Sequence, residues 1–505
     1  MKYFKPLPFL LVLILSLSLA LSCSKNDDNV LIEEKEEYVP VTLDNEIHDF
    51  IWQGMNEIYL WQSVVPNLSN NKFSTFDDYY TFLNSYNTPE SLFDALLYKK
   101  DEVDKFSFIV DDYVALEKSF QGTTKTNGLD YRLVRLSGSN NIFGYVRYVA
   151  NNSDAASKDI KRGDLFLTVD NQQLTINNYE SLLFGSKDTY TLGMAEITNN
   201  TITSNGKTVT LTKTEFTENP IHIAKVIESN GTKIGYIMYN GFTSNFNTDL
   251  NNTFGDFKTQ GINELVLDFR YNPGGSVNTA IELCSMITGQ FLNDVIIKQQ
   301  WNSKYQNYFE ANAPESLVDR FTDKMSDGTL INSLNLNRVY ILTTSGTASA
   351  SELIINGLAP YIDVVQIGTN TTGKYTASVT LYDSENFGRE EANPNHTYAI
   401  QPLVYKSANA NGVTDYFNGL APDYPITYQN SSGQLFEGEN IINLGVLGDM
   451  NEPFLAKAID LINGGTTKFF ESSKDVKGVS IEHIAESNDF KPLGKGMYSN
   501  FKKME

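Results

Sequence analysis

The stretch Arg338-Val339-Tyr340-Ile341-Leu342-Thr343-Thr344-Ser345-Gly346-Thr347-Ala348-Ser349-Ala350-Ser351-Glu352 decides the fold class. Its first six residues form an apolar, β-branched and aromatic run of the length of a buried strand. A turn of small residues follows, and then the helical run Leu353 to Leu358, which stops before Pro360. Strand, tight turn and helix in succession are the building unit of an α/β sheet. Ser349 falls at or near the start of the helix, where free N–H groups and the positive dipole end favour a developing oxyanion. Its small neighbours let a carbonyl approach the hydroxyl. The same serines also suit helix caps, and the turn is not the G-x-S-x-G elbow.

A serine nucleophile needs a base. His48, His222, His396 and His483 are scattered and none stands in a triad context; a Ser/His esterase would rest on His396. Lysine is the other option, if burial lowers its pKa from ~10.4 to about 7–8. The next strand, Asp363 to Gly368, leads to Thr371-Thr372-Gly373-Lys374. Lys374 lies 25 residues beyond Ser349, across one helix and one returning strand, so the two can meet at one sheet edge. Taken alone, a lysine is a solvated surface charge.

Four further stretches bear on that spacing. Gly235-Tyr236-Ile237 through Phe242, Leu267-Asp268-Phe269-Arg270-Tyr271-Asn272-Pro273-Gly274-Gly275, Gly346 to Glu352 and Gly419-Leu420-Ala421-Pro422-Asp423 occur in that order. With them the chain resembles the carboxy-terminal processing (tail-specific) serine peptidases, which use a Ser/Lys dyad. The resemblance covers roughly residues 106–450. It implies an α/β multidomain protein: an N-terminal helical module, a PDZ-like β-rich domain and a ClpP/crotonase-like peptidase core. It implies that Ser349 attacks the scissile carbonyl and that Lys374 takes the proton and delivers it to the leaving amine. Ala350 N–H, with that of Gly274 or Gly275, would form the oxyanion hole. Substrates would be proteins or peptides, cut near their C-termini through an acyl-enzyme, with no cofactor and no metal. One departure stands out. The family places Gln four residues after the lysine, where this chain has Ser378, a shorter group for orienting the amine. A catalytically weak peptide-binding lipoprotein on the same fold is the alternative reading.

Outward from the core, residues 44–105 read as a helical packing module without a catalytic motif. Ile47, Ile51, Met55 and Ile58 share one face, Asp44 is a plausible cap, and Thr88-Pro89-Glu90 opens a second helix. Residues 106–216 switch to strand alternation. Tyr145 to Val149, a short helix near Ala155 to Ile160, Arg162-Gly163-Asp164 and Leu165 to Asp170 resemble a PDZ domain. That fold captures peptide C-termini by strand addition. Gly128, Leu129 and Tyr131 then match its carboxylate loop, although Asp130 would repel an anion. The peptidase domain occupies 217–450, with an uninterpreted polar-aromatic insertion at 288–336. A C-terminal helix and tail fill 451–505.

The whole chain has 505 residues and a formal charge of −22, from 39 basic and 61 acidic side chains. That balance argues against a nucleic-acid partner, which needs a basic footprint. Two cysteines and four histidines leave little for a zinc or iron–sulfur site. At the N-terminus, Lys2 and Lys5 precede the apolar run Leu7 to Leu21, then Ser22 and Cys23. This reads as a secretory signal over 1–22, and Cys23 resembles the acylated cysteine of a bacterial lipobox. Residues 23–43 would be an acidic tether, with Lys25 to Asp28 resembling the export signals of Bacteroidetes surface lipoproteins. The expected location is the cell envelope, at the outer membrane by a lipid on Cys23, with the body periplasmic or surface-facing. Cys284 is then an unpaired buried side chain.

Overall fold

The computed structural model describes residues 38–501 except 137, 199–200, 430–434, 467–469, 473–480, 492–493 and 495. The signal, Cys23 and most of the tether lie outside the described residues.

A mixed sheet forms the centre. Its strands run in the order Ile221–Ser229, Thr232–Tyr239, Glu264–Asp268, Arg338–Thr343, Asp363–Gly368, Tyr424–Gln429 and Leu435–Glu437. The four pairings from Thr232–Tyr239 to Tyr424–Gln429 are parallel. Parallel strands need crossovers, and helices Asn247–Gln260, Val277–Ile287 and Ala350–Leu358 supply them. These helices pack on one face, burying Ile341, Leu353, Ile354 and Cys284. Helix Pro453–Ile462 covers the other with Phe454, Leu455 and Ala458. Covering both faces is why these strands read as continuous apolar runs.

The N-terminal module shares this core. Helix Glu46–Ile58 buries Phe50, Ile51, Met55 and Ile58 against residues that include Ile400. Its cap is Asn45, whose side chain accepts the Ile47 N–H, and not Asp44. Helix Pro89–Ala95 starts as expected, with Thr88 as its cap.

A second sheet orders Gly275–Ser276, Met497–Tyr498, Thr376–Ser378, Leu403–Asn409, Val295–Trp301 and Val318–Arg320. The 288–336 insertion is therefore built into the fold, and Trp301, Tyr305 and Phe309 of this stretch pack together beside Tyr405.

The third sheet orders Ile481–Glu486, Leu129–Leu136, Ile142–Val149, Leu165–Val169, Thr189–Thr198 and Thr201–Thr212 around its own core of Leu133, Val146, Phe166 and Leu192. The short helix expected before Ile160 is one 3-10 turn, Ala155–Ser157. The tail is no appendage. After the 453–462 helix it contributes a strand to each of the three larger sheets, Phe470–Ser472, Ile481–Glu486 and Met497–Tyr498.

Candidate active site

The nucleophile turn is bolted to the 268–275 loop. Thr347 donates its hydroxyl proton to Phe269 O at 2.8 Å, the Ala348 N–H donates to Asn272 O at 3.1 Å, and the Thr344 hydroxyl donates to Arg270 O. Ser349 sits at φ 66°, ψ −113°, a left-handed conformation that costs a non-glycine residue about 1–3 kcal/mol. The fold holds it there, and Ser349 N–H donates to Glu352 Oε2 at 2.7 Å. Ser349 Oγ is buried and has no hydrogen-bond partner among the described residues. Ser349 is thus the N-cap residue of helix Ala350–Leu358, as the cap reading has it, but the cap bond is made by Glu352 to its N–H and the hydroxyl stays uncommitted.

The same carboxylate gathers the lysine segment. Lys374 N–H donates to Glu352 Oε2 at 2.9 Å, while Gly373 N–H and the Thr371 hydroxyl donate to Oε1 at 2.6 and 2.5 Å. Ser349 and Lys374 backbones thus converge on one oxygen atom. Burial pushes the Glu352 carboxyl up, against these donors, which favour its ionised form. Upstream, Asp423 of the Gly419-to-Asp423 motif accepts the Gln366 N–H at 2.9 Å, and Thr371 N–H donates to Leu420 O at 3.1 Å. These bonds brace the segment that carries the lysine.

Lys374 is 1% exposed. Burial lowers its ammonium to about 7, against the opposing pull of Asp104 and then Glu352. Its Nζ lies 5.0 Å from the centroid of the Phe106 ring. Asp104 is itself buried and accepts from Tyr59 Oη at 2.7 Å and from the N–H groups of Phe106 and Ser107. The N-terminal module, read from sequence as packing alone, thus supplies Asp104 near the lysine, and Phe106 follows just past its end. No motif marks them.

Gly274 (φ 106°) and Gly275 (φ 138°) lie where only glycine fits. A Cβ on Gly274 would stand 2.7 Å from Ser349 Cβ and 3.0 Å from Ala350 N. Ala350 is the first residue of its helix, so its N–H has no intrahelical acceptor. Gly274 N–H is already given to Asn272 Oδ1 at 2.9 Å. Of the two glycines expected at the oxyanion hole, Gly275 is therefore the one whose N–H is not so engaged. Asp268 and Arg270 form a buried pair with contacts of 2.6 and 2.9 Å, and Arg270 also reaches Glu452 at 2.6 Å. They anchor the loop.

Three expectations need correction. Ser378 does not have the task of orienting the lysine: its hydroxyl donates to Met497 O at 3.0 Å and accepts from Gln401 Nε2 at 3.1 Å, joining strands. His396 bonds Asp383 at 2.9 Å and accepts the Tyr398 N–H, so both ring nitrogens are committed away from Ser349. The loop at Gly128, Leu129 and Tyr131 presents no free donors for a carboxylate. Its N–H groups go to Thr126 Oγ1, Asn127 Oδ1 and Ser487 Oγ. Nor does Asp130 stand as a bare charge, because Arg147 pairs with it at 2.6 Å. Leu129 and Tyr131 instead line a cavity of about 550 Å³ with Leu183, Phe184 and Phe490.

A parallel sheet with a buried serine on a strained strand-to-helix turn, the Gly275 N–H beside it and a buried low-pKa lysine is the arrangement that a serine peptidase domain requires. Residues 233–425 match the family model of peptidase family S41, and residues 46–108 match that of the peptidase S41 N-terminal domain. These two stretches are peptidase S41 family domains. The chain is 27% identical over 168 residues to a carboxyl-terminal-processing protease of Picosynechococcus, covering 33% of this chain and 35% of that protein. It is 29% identical over 157 residues to a carboxy-terminal-processing protease of Bartonella bacilliformis, covering 30% and 32%. The match thus spans about a third of these relatives' length. The crystal structure of a Bacteroides fragilis protein that carries the S41 protease name aligns with 85% of this chain and 98% of its own, at 26% identity and TM-score 0.62.

Proposed function

We propose that the protein is a serine endopeptidase acting on proteins or peptides near their C-termini, with Ser349 as nucleophile and Lys374 as general base. The carrying observation is that a strained Ser349, its hydroxyl uncommitted, and a buried Lys374, its ammonium lowered to about 7, give their backbone N–H groups to the same Glu352 oxygen. At neutral pH about half of the lysines are uncharged and can accept a proton. Ser349 Oγ attacks the carbonyl carbon as Lys374 Nζ takes its proton. The N–H groups of Ala350 and Gly275 stabilise the oxyanion, each worth about 3–4 kcal/mol. Lys374 then protonates the leaving amine, and water resolves the acyl-enzyme. Glu352 positions both segments.

We read residues 217–450 as a crotonase-like core and 106–216 as PDZ-like, a reading supported by the addition of strand Ile481–Glu486 alongside Leu129–Leu136 and by the cavity beside it. A lipid on Cys23 holding the enzyme at the cell envelope completes the reading, supported by the sequence pattern alone. The test is cleavage of casein and of peptides with free C-termini by wild type, Ser349→Ala and Lys374→Ala. Cleavage surviving in either variant removes the dyad.

A further inference from the structure

The chain's own C-terminal segment passes through both clefts that a substrate would use. Strand Ile481–Glu486 pairs antiparallel with Leu129–Leu136 and forms the edge of that sheet. Ser487 extends the pairing, with its N–H donating to Tyr131 O at 3.0 Å, and the Phe490 ring stacks on Phe184 at 3.9 Å. Further on, Met497–Tyr498 enters between Gly275–Ser276 and Thr376–Ser378, parallel to both. This is the gap between the oxyanion loop and the strand that follows Lys374.

The register fixes which bond faces the serine. On the loop side Gly274 N–H is given to Asn272, Gly274 O accepts the Phe242 N–H, and Ser276 N–H donates to Phe242 O. Gly275 is left to bond the tail with its own N–H and C=O. In a parallel ladder a residue bonds the two neighbours of its partner. With Met497 as partner, Gly275 N–H donates to Gly496 O and Gly275 O accepts the Tyr498 N–H. Independently, the point where a Gly274 Cβ would stand lies 2.9 Å from Gly496 O, 2.7 Å from Ser349 Cβ and 3.0 Å from Ala350 N. On the other side Ser499 N–H donates to Ser378 O at 3.0 Å, and Ser378 Oγ donates to Met497 O. Neither ladder uses Met497 N–H. The carbonyl of Gly496 therefore occupies the oxyanion position, and the next nitrogen is unencumbered, as a leaving group must be.

We infer that Gly496–Met497 is a scissile bond of this chain, so that the protein binds its own tail as a substrate and cuts itself there. This rests on the peptidase reading above. Ser349 Oγ bonds to the Gly496 carbonyl carbon while its proton moves to neutral Lys374. The C–N bond breaks as Lys374 returns that proton to Met497 N, and water hydrolyses the ester to a Gly496 carboxylate, regenerating Ser349. Until that cut, the tail excludes other chains. A tethered segment competes at an effective concentration on the order of millimolar, at or above ordinary substrate KM values.

Intact-mass spectrometry of purified wild type and Ser349→Ala, incubated at pH 8, tests this, with β-casein cleavage measured in parallel. Wild type is expected to lose the segment from Met497 onward and Ser349→Ala to keep it. A third protein, Met497→Pro, changes the nitrogen that neither ladder uses. With its fold checked by circular dichroism, it should retain the tail and cleave casein about tenfold more slowly than processed wild type. Casein cleavage by a wild type that keeps residues 497–505, or a cut at another bond, overturns the inference and leaves the peptidase reading standing. A wild type that cuts neither casein nor itself overturns the peptidase reading as well.

Discussion

Replacing Lys374 with methionine should make the protein more stable while abolishing catalysis, and the gain should depend on pH in a calculable way. Lys374 is fully enclosed, and burial depresses its ammonium from the ordinary ~10.4 to about 7. Each pH unit of that gap is worth about 1.4 kcal/mol. Between pH 7 and about 10 the unfolded chain holds a proton at this amine that the folded chain has largely lost. Folded wild type is accordingly penalised in full below about pH 7, and its stability rises with pH from there to about pH 10. Methionine fills a similar volume and carries no proton. The advantage of Lys374→Met over wild type should therefore shrink by about 3–4 kcal/mol from pH 7 to pH 10. Both proteins should carry Ser349→Ala, which keeps the tail intact in each. Guanidinium unfolding followed by tryptophan fluorescence suits the measurement, because Trp52, Trp61 and Trp301 all pack on the core shared by the N-terminal module and the catalytic sheet. An advantage that stays constant within about 1 kcal/mol between the two pH values would refute the claim that the amine is held uncharged.

The same titration sets turnover. kcat/KM should rise through an apparent pKa near 7 and reach about a tenth of its plateau at pH 6, whereas Lys374→Arg, permanently charged, should show no active limb. Gly274→Ala puts a Cβ 2.7 Å from Ser349 Cβ; kcat should fall by about 10²-fold or more, with thermal melting showing a retained fold. Glu352→Gln replaces the carboxylate that holds Ser349, Gly373 and Lys374 with a weaker acceptor; single-turnover kinetics should show about a 10–100-fold drop in the acylation rate. Arg270→Leu leaves Asp268 and Glu452 buried without their cation; denaturant titration should show a loss of about 3–5 kcal/mol.

The strand–turn–helix at 338–358 was readable because a doubly covered parallel strand is an unbroken apolar run and the turn into its helix is made of small residues. That the Ser349 and Lys374 segments meet was readable from their spacing together with the motifs around them, and both backbones do converge on Glu352. Glu352 was visible too: Ser349 and Glu352 stand three apart, the signature of a capping box, yet here the carboxylate also holds the lysine segment. Asp104 and Phe106 were not readable. They lie some 270 residues before Lys374 and meet it only through tertiary packing, which leaves no periodicity in sequence. The tail was opaque for another reason. A two-residue strand such as Met497–Tyr498 docks through backbone groups, so its side chains show no alternation that betrays a sheet.

Glu486 connects the tail strand to the nucleophile turn. Burial would raise its carboxyl, but Arg147 and then Arg132 hold it well below the ordinary carboxylate range. Arg132 also donates to Ser345 Oγ at 3.2 Å, so one guanidinium touches both the tail strand and the turn that carries Ser349. Because Glu486 stays ionised well into the acid range, the ion pairs holding Ile481–Glu486 survive mild acid. On the proposed mechanism, acidification should therefore charge Lys374 before it loosens the tail. What can loosen the tail at neutral pH is a competing strand at the Leu129–Leu136 edge. Such a strand would have to supply its own anion for Arg132, which otherwise loses its carboxylate partner, whereas Arg147 keeps Asp130. A free C-terminal carboxylate on a peptide is one such anion. Peptides amidated at the C-terminus should thus displace the tail poorly, measured as protection of backbone amides 481–487 in hydrogen exchange. Equal loss of protection with free and amidated peptides would show that the anion plays no part.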